Sequence, residues 1–403
     1  MAPTTRSKTK AAATTRRLSS PSDPPTYRVD LSLPPEERYL EICADYKQHL
    51  VEIVPIYDAL LQATGAPRLL NFLAKSLLRR VHSSEENKEI RGISKVTGVP
   101  LHLVVAFNTF LDLFSGCSSG GVRVTDAGNG RDNGIVHFRS LDWGMDPLRK
   151  LIICVDYVRD GQTVARAVTY AGYIGVLTGV RAGLSLSLNY RLRLASASPS
   201  SLMSHRLHQA LLLLAFRPSI PSRLRSLLLS SSPPPSLAAI ARDFPRTPST
   251  PCYLTFCTPA SVLVLEKDLI SAVVQRSNDF LAVTNHDLGM EALDPDGWRD
   301  FVAQEVRPGI ERDVLLDDSL ERKECVSRMW VGANQGSKGK GKKRGLKVAD
   351  VARQLEVQPV QNECTHFSCV MDPAVEGGGL IWVRSYEEAV EMECEEDEFN
   401  VSD

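Results

Sequence analysis

Apolar positions along the 403-residue chain change period several times, and each change marks an element. In TYRVDLSLPP, Tyr27, Val29, Leu31 and Leu33 alternate with other residues, the period of a strand with one buried face. From Pro35 the spacing becomes helical, with Leu40, Cys43, Leu50, Ile53, Val54 and Tyr57 on one stripe. Ser83 and Glu86 stand at capping-box spacing ahead of Ile90, Ile93 and Val96; Gly98 suits the end of that helix and Pro100 the first turn of the next. The next helix runs through Leu103, Val104, Phe107 and Phe110 toward Phe114 and Gly116, so Cys117 falls where helix gives way to strand.

Beyond Cys117, GIVHFRSLDW, KLIICVDYV, TVARAVTYAGYIGVLTGV and GLSLSLNYRL read as strands, with RDGQ (159–162) as a hairpin turn. Residues 202–243 read as helical, HQALLLLAFRPSIPSRLRSLLL splitting into two apolar helices around Pro218 and Pro221, and strands resume from CYLTFC at 252. Blocks of strands, helices and strands again predict an α+β fold, a four-layer αββα sandwich preceded by a small N-terminal region of strand plus helices. The Gly/Lys loop over 332–346 has the glycines of a phosphate loop but neither a preceding strand nor a Gly-Lys-Ser/Thr ending. GNGRDNG (128–134) fails the same test and reads as a turn.

With 43% hydrophobic and 24% charged residues the composition is that of a soluble globular protein. No window reaches the roughly 18 uninterrupted apolar residues of a membrane span. A net charge of -1 lacks the basic excess of a phosphate-binding surface, so no nucleic-acid partner is expected. Charge concentrates at the ends: residues 1–25 form a basic arm and 386–403 an acidic tail without Lys or Arg, both expected to be disordered. The start of the chain has no apolar signal-peptide core, which favours a cytoplasmic location, and its Arg, Ser and Thr content leaves a mitochondrial transit peptide as the alternative. Arginines among the leucines of 208–229 raise peripheral contact with an anionic membrane surface as an alternative to plain packing. Of nine cysteines (43, 117, 154, 252, 257, 325, 364, 369 and 394), neither 252 with 257 nor 364 with 369 has His partners at finger spacing, so no metal site is expected.

Cys117, in LDLFSGCSSGG, is the candidate nucleophile. A thiol of ordinary pKa near 8.5 needs a base or a cationic neighbour. His137 or His286 would supply the base in a papain-like pair, although no papain-type signature surrounds Cys117. A cut between Gly116 and Cys117 supplies it differently, because the new α-amine, of ordinary pKa about 7.7 to 8.0, can take the thiol proton. The small Gly116 leaves room for the thiol to attack the preceding carbonyl.

Several motifs occur in order over most of the chain: VDLSLPPEERYLEICADY, SSEENKEIRGISKVTGVPL, CSS with HFRSLDWG, YAGYIGVLTGVRAGLSLSLNYR, FLAVTNHD and NECTHFSCVMDP. Together they resemble the acid ceramidase and N-acylethanolamine acid amidase family, choloylglycine-type members of the N-terminal-nucleophile hydrolases. The resemblance implies the αββα fold of that class, with 26–116 as an N-terminal helical region that becomes a cleaved α chain and 117–385 as the hydrolase domain. It makes Cys117 the nucleophile, Asp142 the holder of its α-amine, Arg139 a cation beside the sulfur and Asn285 a donor to the oxyanion. Arg322, in SLERKEC, matches a downstream arginine of the family's site.

The implied substrate is an N-acylated lipid, first a ceramide split to fatty acid and sphingoid base, with its acyl tail near AGYIGVLTG and residues 207–229. No cofactor or metal is implied. The alternatives are an N-acylethanolamine or other acyl-amide hydrolase and an unprocessed, non-catalytic lipid-binding homologue. The chain departs from the family in carrying Asn189-Tyr190-Arg191 where relatives have Asn-Glu-Arg, and in having one Asn-x-Ser/Thr site, at Asn400. It also has no cysteine before Cys43 to partner Cys325.

Overall fold

The computed structural model describes residues 22–55, 57, 62, 67–110, 116–127, 133–191, 199–292, 312–334 and 345–388. Nearly all of the basic arm, most of the acidic tail and Gly/Lys loop, most of the 128–134 turn and Phe114 lie outside the described residues.

The chain opens with β1 (Thr26–Asp30), then α1 (Leu40–Asp45), α2 (Lys47–Glu52), α3 (Pro67–Leu77), α4 (Ser84–Thr97) and α5 (Leu101–Phe110). Six strands follow: β2 (Gly116–Val124), β3 (Gly134–Asp142), β4 (Ile152–Arg159), β5 (Gln162–Tyr170), β6 (Thr178–Arg181) and β7 (Leu184–Tyr190). The helical block is α6 (Pro199–Leu213), α7 (Ile220–Leu229) and α8 (Leu237–Asp243). After it come β8 (Cys252–Cys257), β9 (Val262–Lys267), β10 (Ala272–Ser277) and β11 (Phe280–Val283). Helices α9 (Arg312–Asn334) and α10 (Val348–Leu355) and strands β12 (Thr365–Asp372) and β13 (Gly379–Ser385) complete the described chain.

These strands form two sheets, one of eight in the order β1-β4-β5-β6-β7-β8-β9-β10 and one of five in the order β11-β2-β3-β12-β13. The sheets pack face to face where β2 meets β7, β8 and β9; α9 and α10 cover the five-stranded sheet, while α7 covers β5 to β7. The result is the expected αββα sandwich. β3 is covered on both faces and all nine of its residues are buried, His137, Arg139, Ser140 and Asp142 among them. A strand in that position can carry polar side chains only if each finds partners in the layers above and below.

Local predictions resolve in detail. β4 and β5 join through Asp160 and Gly161, both at positive φ (51° and 82°), the two-residue turn expected from RDGQ. Ser83 caps α4 by accepting from the Glu86 N–H, and Gly98 ends it at φ 78°. The Glu86 carboxylate does not return to the cap; it accepts from Ser222 Oγ at 2.7 Å.

The stripe from Pro35 is no single helix, because Tyr46 (φ −96°, ψ 9°) interrupts it between α1 and α2. β1 stops at Asp30, and the strand expected over 163–180 breaks after Tyr170. There Gly172 adopts φ 78°, and a Cβ at Gly175 would lie 2.8 Å from both Pro221 Cβ and Tyr173 Oη.

The N-terminal region is built into the larger sheet. β1 runs parallel to β4, Thr26 pairing with Cys154 through to Asp30 with Val158. On α4, Glu89 receives both terminal nitrogens of Arg225 from α7 and one from Arg38, which also bonds Glu85. Arg225 and Glu89 are 5% and 1% exposed, so their desolvation is offset only by this close, multidentate pairing.

Candidate active site

Strand register decides which side chains surround Cys117. β2 and β3 pair with Cys117 opposite Leu141, Ser119 opposite Arg139 and Gly116 opposite Asp142. Cross-strand partners share a face and neighbours alternate. Cys117, Ser119 and Arg139 therefore face the eight-stranded sheet, while Gly116, Ser118 and Asp142 face the helical layer. Contacts agree: Ser119 Oγ meets Asn189 Oδ1 on β7 and Thr255 Oγ1 on β8, both at 2.9 Å, whereas Ser118 Oγ accepts from Arg322 on α9 at 3.1 Å.

On the inter-sheet side the organiser is Asn189. Its Oδ1 accepts from Ser119 Oγ and from Arg139 Nη1, and Arg139 Nη2 donates to the Leu188 carbonyl at 2.7 Å. Asn189 Nδ2 donates to the carbonyls of Thr284 (3.1 Å), Val283 (3.3 Å) and Cys117 (3.3 Å). One carboxamide thus ties the Arg139 cation, the Cys117 main chain and the end of β11 together.

On the helical side the organiser is Arg322, which is 0% exposed. It donates to Asp318 Oδ2 at 2.9 Å, to Ser118 Oγ and to Asn285 Oδ1 at 3.0 Å, and its Nη1 lies 3.6 Å from Asp142 Oδ2. Asp142 Oδ1 accepts from Ser140 Oγ at 2.9 Å and Thr365 Oγ1 at 2.8 Å, leaving Oδ2 buried without a hydrogen bond. Burial pushes the Asp318 carboxyl up, and the nearby Asp142 charge adds to the effect against Arg322.

Asn285 links the two sides. It follows β11 in a loop pinned by Ser319 of α9, whose Oγ accepts from the Asn285 N–H at 2.7 Å and whose carbonyl accepts from Thr284 Oγ1 at 2.9 Å. Asn285 Oδ1 accepts from the Cys117 N–H at 2.7 Å, and its Nδ2 donates to the Tyr190 carbonyl at 2.8 Å. All five residues expected from sequence therefore meet here: Cys117, Arg139, Asp142, Asn285 and Arg322.

The histidines are engaged elsewhere. His137 has Nδ1 on Ser185 Oγ at 3.0 Å and Nε2 on Ser187 Oγ at 2.9 Å, and burial, with Arg139 nearby, holds it down to about 3. His286 has Nδ1 on Ser319 Oγ at 2.8 Å and is also held below its ordinary value, chiefly by burial. Among the described residues no group of three or more His, Cys, Asp or Glu side chains could hold a metal ion.

Comparison with known proteins bears on this geometry. The family described as the beta subunit of N-acylethanolamine-hydrolyzing acid amidase matches residues 22–82, wholly before Cys117. The chain is 31% identical over 204 residues to acid ceramidase of Rattus norvegicus, a match covering 44% of this chain and 50% of that protein. It is 29% identical over 201 residues to acid ceramidase of Homo sapiens, covering 44% and 49%. The chain is thus similar to acid ceramidases over part of its length and, over residues 22–82, to the N-acylethanolamine-hydrolyzing acid amidase beta subunit.

These alignments span about half the length of the family members it matches. Among solved structures it is similar to the Caenorhabditis elegans N-acylethanolamine-hydrolyzing acid amidase ortholog, at a TM-score of 0.45 and 23% identity over 64% of this chain and 94% of that one. Asn189 and Ser319 are the site residues that sequence reasoning passed over. In the sequence Asn189 stands out only as the first member of Asn189-Tyr190-Arg191, whose departure lies at Tyr190, and Ser319 sits unmarked in an ordinary helix.

Proposed function

We propose that this chain is a self-processing cysteine amidase, cut between Gly116 and Cys117, that hydrolyses the amide bond of an N-acylated lipid, ceramide first among them. The observation that carries the reading is the placing of the Cys117 main-chain nitrogen. That atom is held 2.7 Å from Asn285 Oδ1, with Arg322 behind the same oxygen and Asp142 across the strand pair. A site in which the main chain of a cysteine is the central group suits a nucleophile whose own α-amine is the base.

Processing begins with attack of the Cys117 thiol on the Gly116 carbonyl carbon. The peptide C–N bond breaks as the nitrogen gains a proton, leaving Gly116 as a thioester on the sulfur, and water then releases the Gly116 carboxyl and restores the thiol. The freed α-amine takes the thiol proton, and the thiolate attacks the substrate amide. Collapse of the tetrahedral intermediate breaks the C–N bond, the α-ammonium protonates the departing amine, and water activated by the α-amine hydrolyses the acyl thioester to the fatty acid.

Asp142 neutralises the α-ammonium, and Arg139, on the Cys117 face, favours the thiolate. Asn285 offers an N–H to the oxyanion from Nδ2, which in the uncut chain faces Tyr190. Cys117 is 0% exposed in the uncut chain, so an external amide reaches the sulfur only after the surroundings of Cys117 open.

The N-terminal fragment stays as a second chain, held by β1 in the large sheet and by the Arg225–Glu89 pair. Phe72 on α3 with Met203 and Leu207 on α6 and Phe216 beyond it are each more than half exposed, apolar area suited to peripheral contact with a lipid surface.

Intact mass of the purified protein beside Cys117→Ala tests the reading. The wild type is expected as two co-purifying fragments meeting at Gly116 and Cys117, the variant as one chain. Turnover of a ceramide and an N-acylethanolamine by the cut form then ranks the substrates. A wild type that stays whole from acidic to neutral pH and cleaves neither amide sinks the proposal and leaves the non-catalytic lipid-binding homologue.

A further inference from the structure

A second polar cluster lies under α6, outside the site already described. His205 and His208 sit on the buried side of that helix, 4% and 1% exposed; Arg217 follows it, Arg223 stands near the start of α7, and Lys267 ends β9. The carboxylate among them is Asp268, taken by His205 Nε2 at 3.0 Å. The Lys267 ammonium donates to the carbonyls of Asp268 and Leu269. No ion pair to Arg217, Arg223 or Lys267 is found among the described residues, so the cluster carries surplus positive charge.

Its hydrogen bonding is also incomplete. Arg217 Nη1 donates to His208 Nδ1 at 3.0 Å, which leaves the proton of the neutral ring on Nε2. That Nε2–H is buried without an acceptor, and so is the Arg223 Nε–H. Buried donors without acceptors beside unpaired cations are costly, and a bound oxyanion would answer them. Burial, and then the charges of Arg217, His205, Arg223 and Lys267, hold His208 down to about 4. Burial and Arg217 likewise hold Arg223 below its ordinary value.

Of the cluster, Arg217 also lines a neighbouring cavity, with Leu212, Ser219, Ser222 and His82; His208 and Arg223 are not in that lining. Its carboxylate, Glu86, is bonded to Ser222 and faces Arg225 at 4.0 Å.

We propose that the cluster beneath α6 is a binding site for a phosphate-type oxyanion, held by Arg217, Arg223 and the His208 Nε2–H. The chemistry is shared by inorganic phosphate, a soluble phosphomonoester and the headgroup of an acidic phospholipid. The exposed Met203 and Leu207 on the outer side of α6 would lie in the bilayer in the last case.

The test titrates the full-length protein with inorganic phosphate by calorimetry, and separately measures co-sedimentation with phosphatidylcholine vesicles with and without phosphatidic acid. Arg223→Gln is expected to weaken oxyanion binding about tenfold, the worth of one charge-assisted hydrogen bond. Without anion it should melt no lower than wild type, because a repulsive cation is gone. Arg242→Gln, an exposed arginine paired with Asp243, should bind as wild type.

Phosphate binding that needs Arg223 identifies a soluble oxyanion site. Binding only to phosphatidic acid vesicles, again needing Arg223, identifies a headgroup site. The proposal is overturned if neither probe binds, or if Arg223→Gln and Arg242→Gln weaken binding equally.

Discussion

At the scale of single residues, Asn189 and Arg322 do most of the organising, and they do it from opposite sides of Cys117. Asn189 accepts from Arg139 and Ser119 and donates to three main-chain carbonyls, including that of Cys117. Asn189→Asp keeps the acceptors but takes the donors away from those carbonyls and sets a carboxylate against them. Each buried group left unsatisfied costs about 1 to 3 kcal/mol. In a Cys117→Ala background, where cutting cannot confuse the result, urea unfolding should show Asn189→Asp destabilised by about 2 to 4 kcal/mol. The same change in the cleavable chain should slow self-cutting, because the Cys117 carbonyl and β11 lose a shared anchor. Stability and cutting both within error of wild type would show that Asn189 is a spectator.

At the scale of elements, β11 matters because it delivers Asn285. β11 pairs with β2 so closely that a Cβ at Gly120 would lie 2.2 Å from the Leu281 carbonyl oxygen and 2.5 Å from Phe138 Cζ. Gly120→Ala must therefore push β11 outward, with a strain of about 1 to 3 kcal/mol. Asn285 would move with it, lengthening its bond to the Cys117 N–H. The expected result is a chain that still folds in urea titrations but cuts itself at least tenfold more slowly, read by gel densitometry over time.

The elements themselves were largely legible in the sequence, since their period, caps and turn residues are local properties: Ser83 and Gly98 bound α4, and Asp160-Gly161 turns β4 into β5. What could not be read was register. Nothing in the chain says that Asn189 and Thr255 flank Ser119, contacts made across 70 and 136 residues. The same limit hid Glu86, whose capping-box spacing was real while its carboxylate was committed to Ser222 in another helix.

At the scale of the whole molecule, buried histidines set how the fold answers to pH. Burial is the main cause that holds His137 and His366 down to about 3 and His208 to about 4, from an ordinary value of 6.5. These rings are neutral in the folded chain and protonate in the unfolded chain below that ordinary value. The unfolded state then binds more protons, so the stability they contribute is complete above 6.5 and falls as the pH drops from 6.5 toward the folded values. For His137 alone the loss between pH 7 and 5 is about 2 kcal/mol.

Glu86, Glu266 and Asp318 act in the opposite sense. Burial raises their carboxyls, so they gain protons in the folded chain first and add stability as the pH approaches ordinary carboxylate values. A net slope therefore needs a subtraction. Urea unfolding of Cys117→Ala at pH 7, 6 and 5 should be compared with the same series carrying His137→Gln, which removes one titrating ring and leaves the carboxylates alone. The slope should fall by up to about 1.4 kcal/mol per pH unit, the value for one proton. Parallel curves would mean that His137 is already charged within the fold, against its two serine partners and the adjacent Arg139.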